Sequence, residues 1–207
     1  MKRGLYHRAG GKAIARASQR PDKRLMASMS HGHLHPTILE TERLRLEPVA
    51  EADADAMFAL MGDPEVMAYW DSPEIADPDV VAEIVQGQVD DMSKGKAIYW
   101  GIRGLTGDGF IGACDLSEID HRHKRAEVGF MLGREAWGQG YALEAMRAVI
   151  AFAAAGGLRR LLARTHLGNR RSDSLLEKLG FEEEGLLRGY VLRDGEHRDC
   201  RLFGILL

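Results

Sequence analysis

From Tyr141 onward, Leu143, Met146, Val149, Ile150 and Ala153 recur at helical spacing, while Glu144, Arg147 and Ala151 fall on the opposite side. That period predicts an amphipathic helix, closed by Gly156-Gly157. Residues 161–165 form a short apolar run and read as a buried strand. Asn169-Arg170-Arg171-Ser172 then opens a second helix that runs to Leu179 and stops at Gly180, before Phe181 begins another strand. Nearer the N-terminus, residues 41–46 predict an opening strand. Residues 52–61 and 78–94 predict two helices, separated by a break at Gly62-Asp63-Pro64. Residues 99–102 and 110–114 read as strands joined by a turn over 104–109. A turn at 121–124 returns the chain into a strand over 126–132, and 192–196 reads as a hairpin turn. A meander feeding a strand–helix–strand core predicts an α+β domain on a mixed sheet.

Between the strand at 126–132 and the long helix stands Trp137-Gly138-Gln139-Gly140-Tyr141-Ala142. Small residues let backbone N–H groups approach an anion closely, and the helix behind them adds its unpaired N-terminal donors and the positive end of its dipole. The combination suits a pyrophosphate. A Walker loop would need Gly-Lys followed by Ser or Thr, which is absent. A dinucleotide fingerprint would need a third glycine; only Gly138 and Gly140 fit its spacing.

The 207 residues suit one domain plus a tail, and no apolar run approaches the length of a membrane span, so the chain is expected to be soluble. Cys114 and Cys200 form no CxxC pair, which leaves a reducing cytoplasm as the default and suggests neither a disulfide framework nor a metal site. Charge changes the picture more. Residues 1–36 hold eight Lys and Arg against Asp22 alone, a net +7, so the rest carries −10 beneath a whole-chain value of −3. So acidic a body is a poor match for nucleic acid and a reasonable one for a cationic amine. Residues 1–36 read as a basic, disordered extension, and residues 37–207 as the domain; His31, His33 and His35 in the tail read as incidental.

With these elements in place, the chain resembles the GNAT N-acetyltransferase family, in the branch of the ribosomal-protein alanine acetyltransferases (RimJ/RimL-like). The resemblance rests on Thr41-Glu42-Arg43-Leu44-Arg45-Leu46, Ala126-Glu127-Val128-Gly129-Phe130, Trp137 through Glu144, Asn169 to Ser172, and Glu177-Lys178-Leu179-Gly180-Phe181. It implies a three-layer α/β/α domain with a mostly antiparallel twisted sheet. It also implies transfer of an acetyl group from acetyl-CoA, without a metal, to a primary amine on a protein N-terminus or a small molecule. A monomer or homodimer is expected, with no nucleic-acid or membrane partner.

By that resemblance, Phe130, Met131 and Leu132 give backbone contacts to pantetheine. Gly138, Gln139, Gly140, Tyr141 and Ala142 hold the pyrophosphate. Trp137 stands where the family usually has Gln or Arg, which leaves one anion contact unassigned; Arg134, Arg170 and Arg171 are candidates for it, or ordinary surface charges. Amine transfer needs a proton acceptor, and Glu127 is the first candidate, although a structural ion pair would explain it as well. Asp115, Glu118 and His166 stand in reserve. Leu176 occupies the slot of the family's usual acidic tyrosine. The branch is expected to use Ser172 instead, as a hydrogen-bond donor to the thiol sulfur, but a serine near a helix start is also a capping residue. Asn169 is a turn residue or a cofactor contact.

Tyr69-Trp70-Asp71, between the first two helices, is expected to shape the acceptor entrance, with Tyr69 and Trp70 as substrate contacts; Trp70 as plain core is the competing reading. Besides a peptide N-terminus, acetylation of an antibiotic- or polyamine-type amine stays open. So does a non-catalytic acyl-CoA-binding regulatory domain.

Overall fold

A computed structural model describes residues 34–106 and 109–207. The basic tail through residue 33, with His31 and His33, lies outside the described residues, as do positions 107–108 of the turn before the fourth strand. Leu34, within the expected tail, is buried against the helix C-cap at Gly156.

The strands are β1 (Leu39–Glu40), β2 (Leu44–Pro48), β3 (Ile98–Gly104), β4 (Phe110–Asp120), β5 (Arg125–Leu132), β6 (Arg160–His166), β7 (Glu182–Arg193) and β8 (Glu196–Leu206). The helices are α1 (Ala54–Met61), α2 (Pro64–Met67), α3 (Pro78–Ser93), α4 (Tyr141–Ala155) and α5 (Arg170–Leu179). One eight-stranded sheet runs β1-β2-β3-β4-β5-β6-β8-β7 and is antiparallel except between β5 and β6. Helices α1 and α3 pack on β3 and β4, whereas α4 packs on β1, β2, β4 and β5. The result is the expected three-layer α+β domain. Trp100 is fully buried at its centre, edge-on to Phe152 at 5.4 Å, with its indole N–H donating to Thr37 O at 2.8 Å.

Several boundaries differ from the sequence expectation. The opening strand is two strands, because Thr41 Oγ1 accepts from Leu44 N at 3.0 Å and turns the chain over 41–43. The break at Gly62-Asp63-Pro64 contains the start of a further helix, α2. Asp63 caps it by accepting from Glu65 N, and Pro64 stands in its first turn, where no N–H is needed. Strand β4 continues six residues past Cys114 to Asp120. The hairpin turn at 192–196 is a two-residue loop: Asp194 and Gly195 have φ of 54° and 78° between paired Arg193 and Glu196.

The pairing of β5 with β6 positions the site. It lasts for three residues, from Arg125↔Arg160 to Glu127↔Leu162, and then the strands part. Beyond that point β6 follows β8 and β5 follows β4. The backbone of residues 128–131 therefore has no β6 partner, and a wedge opens between the two strands.

Candidate active site

The wedge is a cleft of about 1360 Å³, lined along one side by Val128 to Leu132 and along the other by Ala163 to His166. It exceeds the size of a typical small-metabolite pocket, so it suits an elongated cofactor meeting a second substrate.

At one end lie Gly138, Gly140, Tyr141 and Ala142. Gly138 and Gly140 have φ of 76° and 81°, which only glycine adopts without strain. A Cβ at Gly138 would meet nothing, and one at Gly140 would meet only Arg43 Nη2 at 3.6 Å, so there is open space above the turn. No side chain among the described residues caps α4, and its Glu144 N–H bonds Gly140 O, which leaves the N–H groups of Tyr141, Ala142 and Leu143 for a ligand. An uncapped 15-residue helix behind a left-handed glycine turn fits a diphosphate.

The turn between β1 and β2 braces this loop. Glu144 accepts from Thr41 Oγ1 at 2.6 Å, Arg43 N at 2.9 Å and Arg43 Nε at 2.7 Å, while Arg43 Nη1 donates to Gln139 O at 3.0 Å. Gln139 Nε2 donates to Glu135 O at 2.7 Å, and Gln139 does not line the cleft. Trp137 Nε1 ties the loop to the end of β5 through Leu132 O at 2.8 Å.

Phe130, Met131 and Leu132 line the middle of the cleft, with Met131 and Leu132 buried. Asn169 and Ser172 face them from α5. Asn169 is the helix cap, accepting from Ser172 N at 3.2 Å. The Ser172 hydroxyl therefore has no capping role and makes no hydrogen bond among the described residues. Leu176, in the slot expected to lack an acid, also lines the cleft.

The other end collects most of the chemistry. Asp115, Ser117, Glu127 and Gly129 share one face of the β4–β5 pair, with Tyr99 of β3 in the same row as Asp115. Glu127 Oε1 accepts from Arg164 Nε at 2.7 Å, so the ion-pair reading describes its contact. The same guanidinium lies 3.6 Å from Asp71 Oδ2, and Asp71 Oδ1 meets His166 Nε2 at 2.9 Å. Burial works against the Arg164 charge, but Glu127 and then Asp71 more than offset it and raise the pKa. Tyr190 covers the guanidinium at 5.0 Å.

Asp115 differs from its neighbours in having no cation within contact among the described residues. Desolvation pushes its pKa up to about 6; a Ser117 hydrogen bond lowers it, Glu127 adds to the rise, and Arg164 opposes it. Asp115 is half-buried and lines the cleft, and its Oδ1 would lie 2.5 Å from any Cβ at Gly129. Only glycine at 129 leaves that carboxylate its place. Glu118 is exposed and does not line the cleft.

Tyr69, exposed, and Trp70, half-buried against the core, both line this end. Their loop is held by Arg193, which sequence reasoning passed over. Its buried guanidinium donates through Nη1 to Met67 O at 2.6 Å, Ala68 O at 3.1 Å and Trp70 O at 2.8 Å. Arg164 was missed as well, although a lone arginine within an apolar strand signals a partner inside the fold. Among the described residues, no group of three or more His, Cys, Asp and Glu could hold a metal ion, and no helix is long and apolar enough to cross a membrane.

A family model for the acetyltransferase (GNAT) domain matches residues 43–182. The chain belongs to the GNAT family of N-acetyltransferases. It is 35% identical over 170 residues to an uncharacterized N-acetyltransferase, p20, of Bacillus licheniformis, a match that covers 81% of this chain and 95% of that one. It is also 32% identical over 116 residues to the ribosomal protein uS5-alanine N-acetyltransferase of Escherichia coli, covering 55% and 60% of the two chains. Among solved structures, the RimL ribosomal L7/L12 alpha-N-protein acetyltransferase in complex with coenzyme A superposes with a TM-score of 0.76 at 20% identity, covering 83% of this chain and 98% of that one.

Proposed function

We propose that this N-acetyltransferase takes its acetyl group from acetyl-CoA and transfers it to a single primary amine, the N-terminus of a protein or peptide. Acetyl-CoA would supply the activated thioester, with its diphosphate on the Gly138–Gly140 turn and its pantetheine along residues 130–132. Coenzyme A in the RimL relative supports that donor, and the uS5-alanine relative supports that acceptor.

The observation that carries the acceptor class is the state of the three carboxylates at the acceptor end. Arg164 and His166 engage Glu127 and Asp71, and of these three carboxylates Asp115 is the one with no cation in contact among the described residues. One such carboxylate suits one ammonium group, whereas a polyamine would call for several. Proton affinity points the same way. An α-amine near pKa 8 lies about 2 units above Asp115, and an alkylamine near 10.4 lies more than 4 units above it. Taking the proton from the α-amine is therefore easier by about 3 kcal/mol.

In this reading Asp115 accepts the amine proton, directly or through water. Glu127, the first candidate from sequence, holds Arg164 and with it the Asp71 loop. Ser172, with its hydroxyl uncommitted, donates to the departing thiolate. Ser172→Ala should lower kcat about tenfold and leave acetyl-CoA affinity within twofold, as read by steady-state kinetics and calorimetry. An unchanged kcat would leave Ser172 with no part in transfer. The function itself is tested by incubating the protein with acetyl-CoA and a panel of peptides, monoamines and polyamines. Thiol release that depends on a peptide with a free N-terminus supports it, and saturable binding without release would favour a regulatory acyl-CoA sensor.

A further inference from the structure

We propose that Arg171, stacked on Trp137, supplies the diphosphate contact that the usual Gln or Arg at the start of this loop would give; the assignment rests on the acetyl-CoA reading above. Trp137 is then the platform for a cation delivered from α5.

Arg134, Arg170 and Arg171 are the candidates named from sequence for the contact that Trp137 does not make, and the structure separates them. Arg134 is already committed, with Nε 2.8 Å from Asp63 Oδ2 and Nη1 2.9 Å from Glu65 Oε1. Its charge is neutralised on the side of α2. Arg170 lines the cleft, but no ring or carboxylate among the described residues orients it. Arg171 has its guanidinium carbon 4.8 Å from the centroid of the Trp137 ring, and both residues line the cleft. No carboxylate among the described residues pairs with it.

The contact uses none of the five N–H donors, since Arg171 makes no hydrogen bond among the described residues. The arrangement therefore fixes the cation beside Gly138 without using its hydrogen-bonding capacity. Two features hold the platform itself: Trp137 Nε1 is bonded to Leu132 O, and the loop carbonyl of Gln139 is bonded to Arg43. The uncapped start of α4 and the arginine held by Trp137 both line the cleft, two sources of N–H donors for one anion. A cation–π contact between an exposed arginine and a half-buried tryptophan is worth little by itself. Its effect is to hold in place a long side chain that would otherwise lose rotamer entropy on binding.

The test compares acetyl-CoA, its 3′-dephospho form and acetyl-pantetheine on the full chain. Arg171→Ala is expected to weaken the first two by about tenfold, to leave acetyl-pantetheine unchanged, and to flatten the salt dependence of acetyl-CoA binding. Arg170→Ala should stay within twofold of the native protein. Arg171→Lys should recover only part of the loss, because an ammonium keeps the charge and not the planar stack. Unchanged affinity in Arg171→Ala, a loss confined to the 3′-phosphorylated ligand, or an equal loss with acetyl-pantetheine would each overturn the assignment. Native protein that binds none of the three would sink the donor reading itself.

Discussion

Asp115→Asn is expected to lower kcat about a hundredfold at neutral pH with a good peptide acceptor and, in the same variant, to raise thermal stability. The first effect follows from removing the proton acceptor while keeping its shape. In the native protein kcat/KM should rise through the titration of Asp115, near pH 6, because only the ionised carboxylate can take the amine proton. In the variant that limb should disappear, and activity should climb toward the pKa of the acceptor amine itself. The second effect follows from linkage. Burial raises the folded pKa of Asp115 from 3.8 to about 6. The stability linked to this group is therefore present below pH 3.8 and lost as pH rises through 6. Above pH 6 the ionised group costs the fold up to about 3 kcal/mol, less whatever water in the cleft screens. Asparagine carries no such cost, so the variant should melt higher than the native chain at pH 7 and converge with it below about pH 4. Glu127→Gln is the contrasting substitution: it leaves Arg164 with Asp71 as its one carboxylate among the described residues and should raise KM for the acceptor more than it alters the pH profile. Should Glu127→Gln remove the acid limb while Asp115→Asn keeps it, the proton acceptor is Glu127.

Gly140→Asp should weaken acetyl-CoA binding at least a hundredfold by calorimetry. Two effects add. The residue has φ of 81°, where a side chain is strained, although aspartate tolerates that region better than most residues. The larger effect is charge, since a carboxylate would stand at the mouth of the α4 N-terminus and occupy the donors meant for phosphate. It would also lie close to Arg43 Nη2 and compete with Glu144 for that guanidinium, loosening the brace behind the loop. Gly140→Ala separates the two, because it carries the strain without the charge and should lose far less affinity. Equal affinities for native and Gly140→Asp protein would remove the loop from the binding site.

What was legible in the sequence was local. The glycine turn and α4 were visible because a left-handed turn needs glycine and a helix repeats its apolar face. Helix α5 was visible because Asn169 and Gly180 mark its ends. The parts that escaped depend on residues far apart in the chain. Arg43 and Glu144 meet across 101 positions, and nothing in the pattern of either segment says that the turn at 41–43 braces the loop. Glu127, Arg164, Asp71 and His166 come from β5, β6 and the loop after α2, so which carboxylate keeps its charge free could not be read from spacing. Asp115 stood in reserve for that reason: its desolvation comes from neighbouring strands, and the glycine that makes room for it lies across the sheet at 129. Arg193 is hidden in the same way, since its partners are backbone carbonyls, which leave no trace in composition.

The most direct test is the rate of free thiol release from acetyl-CoA by the native protein, measured side by side with a peptide bearing a free N-terminus, the same peptide with its N-terminus blocked, and a polyamine. Release is expected with the free peptide, with mass gain confined to its N-terminal residue, and little release with the other two. Release driven by the polyamine, or by the blocked peptide as fast as by the free one, would contradict it.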